Sequence, residues 1–219
     1  MQKVKIEIEE TSISRPISVS WIVQGTLNVI ASACTSSVTK HASGSNDITG
    51  KLGLSFCPGK QHKRGGRHIR RDLDTDLAAL KHDFLADCIV CLLNDSELRS
   101  YNLREYSSAV QRHGKEYVQF PIIECAPPEN LLEAGSLIQM MVQQLMNGRN
   151  LVMHCRGGVG RAGMMAACLL LYLNLEMSPL EAIRKVRSLR CKAAVETRRQ
   201  EDFVAEYAKH LRSQDAANK

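Results

Sequence analysis

Leu151-Val152-Met153-His154-Cys155-Arg156-Gly157-Gly158-Val159-Gly160-Arg161 is the stretch that decides the reading of this chain. Leu151 to His154 is a short, mostly apolar run that reads as a buried strand. Ala162 to Leu173, just beyond, reads as a strongly apolar helix. A loop between such a strand and such a helix turns its backbone N–H groups and the helix N-terminus into one concavity. That concavity suits a tetrahedral oxyanion. Gly157, Gly158 and Gly160 let the chain turn tightly without Cβ clashes.

Two side chains give this loop its chemistry. A thiol at Cys155 faces concentrated positive potential and loses its proton readily, which makes it a nucleophile. Arg161 reaches back over the loop, and its planar fork matches two phosphate oxygens where a lysine ammonium cannot. The backbone from Arg156 through Gly157, Gly158 and Val159 to Gly160 completes a phosphate cradle. His154 reads as a hydrogen-bonding residue behind the loop. The pattern is not a Walker loop, because no Gly-Lys-Ser/Thr follows.

Outward from the loop, helical and strand patterns alternate. Residues 3–9 and 17–24 read as strands. Leu73 to Phe84 reads as a helix started by Asp72 or Asp74, and Cys88 to Leu93 as a buried strand. A helix is expected from Leu103 to Arg112 and a strand from Tyr117 to Ile123. Helices follow over Leu131–Met146, Pro179–Leu189 (behind Ser178) and Thr197–Leu211. This alternation predicts an α/β fold, a central mostly parallel sheet with helices on both faces. Ligands of such sheets bind at the carboxyl ends of the strands. The expected organisation is N-terminal strands (1–30), a flexible Ser/Thr/Gly-rich insert (31–51), a core (52–212) and a disordered tail (213–219).

His-Cys-x-x-Gly-x-x-Arg is the signature of the protein tyrosine phosphatase superfamily. The neighbourhood resembles its dual-specificity branch typified by cyclin-dependent-kinase-associated phosphatases. The resembling segments are Ile17–Trp21, Arg70–Leu77, Pro121-Ile122, the loop, Ala166–Leu173 and Ala194–Phe203. The resemblance implies the cysteine phosphatase fold and two-step catalysis through a cysteinyl-phosphate, with neither metal nor other cofactor. It also implies a general acid on a mobile loop upstream, normally Asp. That position holds Glu124 here, with Glu129 as the competing residue. Two further departures bear on the second step. Ala162 stands where a Ser or Thr hydroxyl usually supports departure of the thiolate. Glu196 replaces the first Gln of a water-positioning pair, whose second member matches Gln200. Slow hydrolysis of the intermediate is expected.

The expected activity is therefore a protein phosphatase acting on tyrosine or serine/threonine phosphomonoesters, with a phosphorylated protein, such as a protein kinase, as partner. Two other readings fit the same loop: a phosphate-binding pseudophosphatase, and a phosphatase of inositol lipid or RNA 5′-phosphate. Net charge is +6, which favours anionic partners. Aromatic residues do not interleave the basic ones, which argues against nucleic acid. The run Lys60, Lys63, Arg64, Arg67, Arg70, Arg71 reads as a solvated loop or a guide for phosphorylated substrate, with Arg70 and Arg71, closest to the resembling Arg70–Leu77 segment, as the best guide residues. No stretch reaches about 18 uninterrupted apolar residues, the length of a membrane span. The eight cysteines are irregularly spaced and read as free thiols of a reducing, cytoplasmic compartment. Cys88 and Cys91 lie in an apolar strand, where side chains three apart point to opposite faces, so they read as core thiols rather than metal ligands.

Overall fold

The computed structural model describes residues 8–25, 27–28, 47–64 and 67–217. The strands are β1 (Ile8–Glu10), β2 (Ser20–Val23), β3 (Leu27–Asn28), β4 (Asp47–Ile48), β5 (Leu52–Ser55), β6 (Gln61–Arg64), β7 (Arg67–Arg70), β8 (Cys88–Cys91), β9 (Glu116–Gln119) and β10 (Leu151–His154). The helices are α1 (Leu73–His82), α2 (Asp95–Ser100), α3 (Tyr106–Arg112), α4 (Leu131–Met146), α5 (Gly160–Leu173), α6 (Pro179–Leu189) and α7 (Arg198–Ala217).

The main sheet runs β2-β5-β10-β8-β9. Only β2 is antiparallel, pairing with β5; the other pairings are parallel. Strands buried on both faces need apolar side chains throughout, and every residue of β5, β8 and β10 is buried. His154 stands in register with Ser55 and with Cys91, so three strands end level at one carboxyl edge. The loop after β10 therefore opens where parallel sheets bind ligands.

Helix α5 is the centre of the larger helical group and touches α4, α6 and α7, while α1 packs with α3. All fourteen α5 residues are buried. Burying one of its Leu or Met side chains contributes about 1.5–3 kcal/mol, which anchors the phosphate-loop end of the helix to the core.

Some local signals work as read. Asp72 is the α1 cap and accepts from Thr75 N–H at 2.7 Å. Ser178 and Glu181 form a capping box ahead of Pro179 at the start of α6.

Other expectations are corrected. The basic run at 60–71 is not a loop but the antiparallel pair β6–β7, with β1 added in parallel. Polar or charged residues at every β6 and β7 position but Ile69 hid its period of two. Arg71 is no substrate guide: it is buried and donates to Asp76 at 2.7 and 2.8 Å and to the Arg15 carbonyl at 2.7 Å. Its guanidinium also covers the Phe56 ring at 4.4 Å. Arg70 pairs with Glu9 at 3.2 Å. The strand β5 and the short helix α2 had no sequence assignment.

The proposed insert falls mostly outside the described residues. Its last part is core, since Ile48 is buried and the Gly50 N–H donates to the Leu145 carbonyl at 2.9 Å. Residues 3–7 of the first strand also lie outside. The tail expected from 213 is helical to Ala217, where alanines favour helix and Arg212 ties it to the Met177 carbonyl at 3.2 Å.

Candidate active site

Cys155 follows β10 at the floor of the loop and is 3% exposed. The loop's shape comes from its carbonyls. The Arg156 carbonyl accepts from Cys57 N–H and from Lys60 Nζ, both at 3.3 Å. The Gly157 carbonyl accepts from Arg190 Nη2 at 3.0 Å and the Gly158 carbonyl from Arg190 Nε at 2.9 Å. The Val159 carbonyl accepts from Val195 N–H at 3.2 Å and Gly163 N–H at 3.1 Å. No described peptide is cis, and in a trans peptide the N–H points opposite to the carbonyl. With four successive carbonyls held from outside, the N–H groups of Gly157, Gly158, Val159 and Gly160 turn inward. They form an anion bowl at the N-terminus of α5.

One glycine is compulsory here, and a second packs closely against side-chain ends. Gly158 has φ +66°, and a Cβ on it would lie 2.1 Å from the Ser55 carbonyl oxygen. A Cβ on Gly160 would lie 2.7 Å from Glu196 Oε2 and 3.2 Å from Gln200 Nε2. Those contacts place the Glu196 and Gln200 side chains at the rim of the loop.

Arg161 is 3% exposed. Its Nη1 and Nη2 donate to the two oxygens of Glu97 at 2.8 Å each, and Nη1 also donates to the Ile122 carbonyl at 2.8 Å. Burial opposes the charge most strongly, but the hydrogen bonds to Glu97 together with the electrostatic pull of Cys155, Glu97 and Glu124 outweigh it and hold Arg161 above its ordinary range. A guanidinium has five N–H donors. Three are spent, which leaves Nε–H and one Nη2–H side by side, the edge that grips two phosphate oxygens.

Glu97 went unnoticed in the sequence. The available signal was the capping pattern Asn94-x-x-Glu97 just after an apolar strand. Arg190 carried no local signal, because its partners, the Gly157 and Gly158 carbonyls and the Ser20 hydroxyl, all lie more than thirty residues away.

His154 lies behind the loop. Its Nε2 meets the Tyr106 hydroxyl at 2.8 Å and its Nδ1 meets the Cys155 carbonyl at 3.3 Å. Burial pulls it down to about 4. The neutral ring donates from Nδ1, and Nε2 accepts from Tyr106.

The two acid candidates are separated. Glu124 Oε1 accepts from Arg156 Nη1, so it touches the phosphate loop. Glu129 instead lines a neighbouring cavity of about 260 Å³ with Pro127, Pro128, Leu131, Arg199 and Phe203. Gln200 is buried. Its Oε1 accepts from the N–H groups of Glu196 at 2.9 Å and Thr197 at 3.4 Å, and its Nε2 donates to the Ala126 carbonyl at 3.5 Å. Ala162 is wholly buried in the first turn of α5. Cys88 and Cys91 are buried too, and burial pushes both thiols up to about 12.

The family model described as Cyclin-dependent kinase inhibitor 3 (CDKN3) matches residues 7–183. The chain belongs to this family. Among curated members, Cyclin-dependent kinase inhibitor 3 of Homo sapiens is 31% identical over 172 residues, covering 77% of this chain and 78% of the relative. That of Rattus norvegicus is 30% identical over the same length and shares of chain. A crystal structure of kinase associated phosphatase, with its catalytic-site cysteine replaced by serine, superposes with TM-score 0.71. It is 27% identical and covers 90% of this chain and 97% of that one. Tk-PTP in its active form is 25% identical, with TM-score 0.58 over 72% of this chain and 91% of that one. The CDKN3-family fold seen here is thus the cysteine phosphatase fold. This member is a cysteine-dependent protein phosphatase, a phosphomonoester hydrolase of the dual-specificity type. Among the described residues no helix is long and apolar enough to cross a membrane.

Proposed function

We propose that Cys155 is the nucleophile, Arg161 and the backbone from Arg156 to Gly160 the phosphate cradle, and Glu124 the general acid, with Glu196 and Gln200 positioning water. In the first step the Cys155 thiolate attacks phosphorus and the ester oxygen leaves, taking the proton of Glu124. In the second, water attacks the cysteinyl-phosphate, gives its proton to the Glu124 carboxylate and expels the thiolate. Inorganic phosphate is released. Arg156 binds Glu124 through Oε1, which leaves Oε2 to carry the proton.

The observation that carries this reading is the bowl of four inward N–H groups faced by the two spare donors of Arg161. Donors fixed in advance stabilise the charge of phosphoryl transfer without reorganisation. The choice of Glu124 over Glu129 is supported by its contact with the phosphate loop.

The substrate in this proposal is a phosphorylated protein kinase in the cytoplasm. Support comes from the family's name and from the structural relative, itself a kinase associated phosphatase. The seven described cysteines are all free thiols, as suits a reducing compartment.

Pre-steady-state hydrolysis of p-nitrophenyl phosphate tests the roles. A burst of nitrophenol lost in Cys155→Ser, with the slow steady state quickened by Ala162→Ser, is the expected result. Activity retained in Cys155→Ser would overturn the nucleophile assignment.

A further inference from the structure

The segment that bears Glu124 is held at four points between Ile122 and Ala126. Arg161 Nη1 binds the Ile122 carbonyl at 2.8 Å, Arg156 binds the Glu124 carboxylate, Thr197 Oγ1 donates to the Cys125 carbonyl at 3.1 Å, and Gln200 Nε2 donates to the Ala126 carbonyl at 3.5 Å. Within it, the Ala126 N–H donates to the Ile123 carbonyl at 3.0 Å and closes a tight turn. Cys125, third in that turn, has φ +63°. Turns with a positive angle there ordinarily use glycine. A cysteine in this region is strained, and such strain persists only when the surroundings impose it.

The hydroxyl that holds the strained residue sits at the start of α7. Thr197 Oγ1 also accepts from the Gln200 N–H at 3.3 Å, so it caps the helix and grips the loop at once. A hydroxyl has one proton to donate and lone pairs to spare, so the two duties do not compete. The segment 194–197 is itself bound to the phosphate loop through Val195 N–H and the Val159 carbonyl at 3.2 Å. Through this connection the acid loop and the phosphate loop are held in one frame.

We propose that Thr197 is a positioning residue that latches the turn carrying Glu124 over the phosphate loop and so sets where the Glu124 carboxyl stands. The inference rests on Glu124 being the general acid. Thr197 touches no reacting atom; it acts on the turn through the residue next to the acid. Loss of the latch lets Cys125 relax to negative φ, which rotates the peptide beside Glu124 and misplaces the proton donor.

The test is single-turnover hydrolysis with enzyme in excess, so that hydrolysis of the intermediate does not mask the first step. Two substrates are compared: p-nitrophenyl phosphate, whose leaving oxygen departs without a proton, and phenyl phosphate, whose leaving oxygen is as basic as a tyrosine and needs one. Loss of one hydrogen bond worth about 0.5–1.5 kcal/mol corresponds to roughly two- to tenfold. Thr197→Val is expected to slow phenyl phosphate by that factor and p-nitrophenyl phosphate by less than ~twofold. Thr197→Ser, which keeps the hydroxyl, is expected to match wild type on both. Glu124→Gln is expected to show the same selectivity at larger size, toward the ~100-fold that a general acid contributes.

Thr197→Val slowing both substrates equally, or neither, while Glu124→Gln remains selective, would overturn the latch and leave the acid assignment standing. An unselective Glu124→Gln would overturn the acid assignment and the latch with it. If Thr197→Val fails to fold, Thr197→Gly, which costs a helix start only a few tenths of a kcal/mol relative to a good cap, is read on the same two substrates.

Discussion

Replacing Glu97 by Gln separates the shape of the site from its charge. Glutamine keeps the side-chain length and suits the same position in a capping box, so α2 should still begin at Asp95. What changes is the partner of Arg161. Two 2.8 Å charge-assisted hydrogen bonds become one hydrogen bond to a neutral oxygen, and the other Nη faces an NH2 group. Arg161 is 3% exposed, so water cannot make up the difference. Losing one hydrogen bond to a charged group costs about 1.5–3 kcal/mol. For a chain of this size that lowers Tm by roughly 3–12 °C, at about 2–4 °C per kcal/mol. If the fork turns far enough to lose one of its two phosphate donors, the same range of energy lowers kcat/KM about 10- to 150-fold. Thermal unfolding with and without vanadate, beside kcat/KM for p-nitrophenyl phosphate, reads both effects. A fall in Tm with kcat/KM unchanged would refute the claim that Glu97 orients the clamp. An unchanged Tm would refute the energetic importance of the pair.

Two further outcomes follow from the same frame. Arg190→Lys keeps a positive charge but cannot hold the Gly157 and Gly158 carbonyls together, so vanadate and phosphate should bind roughly tenfold more weakly; equal affinity by calorimetry would show that the loop keeps its shape unaided. His154 is held at about 4 in the fold and titrates near 6.5 when unfolded. Between those values the unfolded chain binds the extra proton, so stability is lost as pH falls through this window. From pH 6.5 to 4.5 wild type should lose about 2 kcal/mol more than His154→Gln in urea unfolding; parallel losses would show that the ring is not kept neutral by the fold.

The phosphate loop was legible in the sequence because its determinants are contiguous: a buried strand, glycines where Cβ atoms collide, and a helix all lie within one short segment. Helix α7 was legible in type but not in extent, since its last turns depend on Arg212 reaching the Met177 carbonyl. Residues whose meaning lies in distant partners stayed hidden. Glu97 is 64 positions from Arg161, and as a surface helix residue it looks like any capping glutamate. Arg71 looked like part of a solvated basic run, yet its charge is neutralised by Asp76 inside the core. The hairpin β6–β7 was hidden for a related reason: its hydrogen-bond ladder is independent of side-chain polarity, so an apolar alternation never had to appear.

The complete burial of α5 ties catalysis to the survival of the whole molecule. A helix with no exposed face has no way to unwind by itself without uncovering core on every side. Its amide protons should therefore exchange with solvent only when the entire chain opens. Because the bowl for phosphate is the first turn of that same helix, affinity for the anion has no softer, partial stage of decline. On heating, it should persist up to the global melting transition and vanish with it.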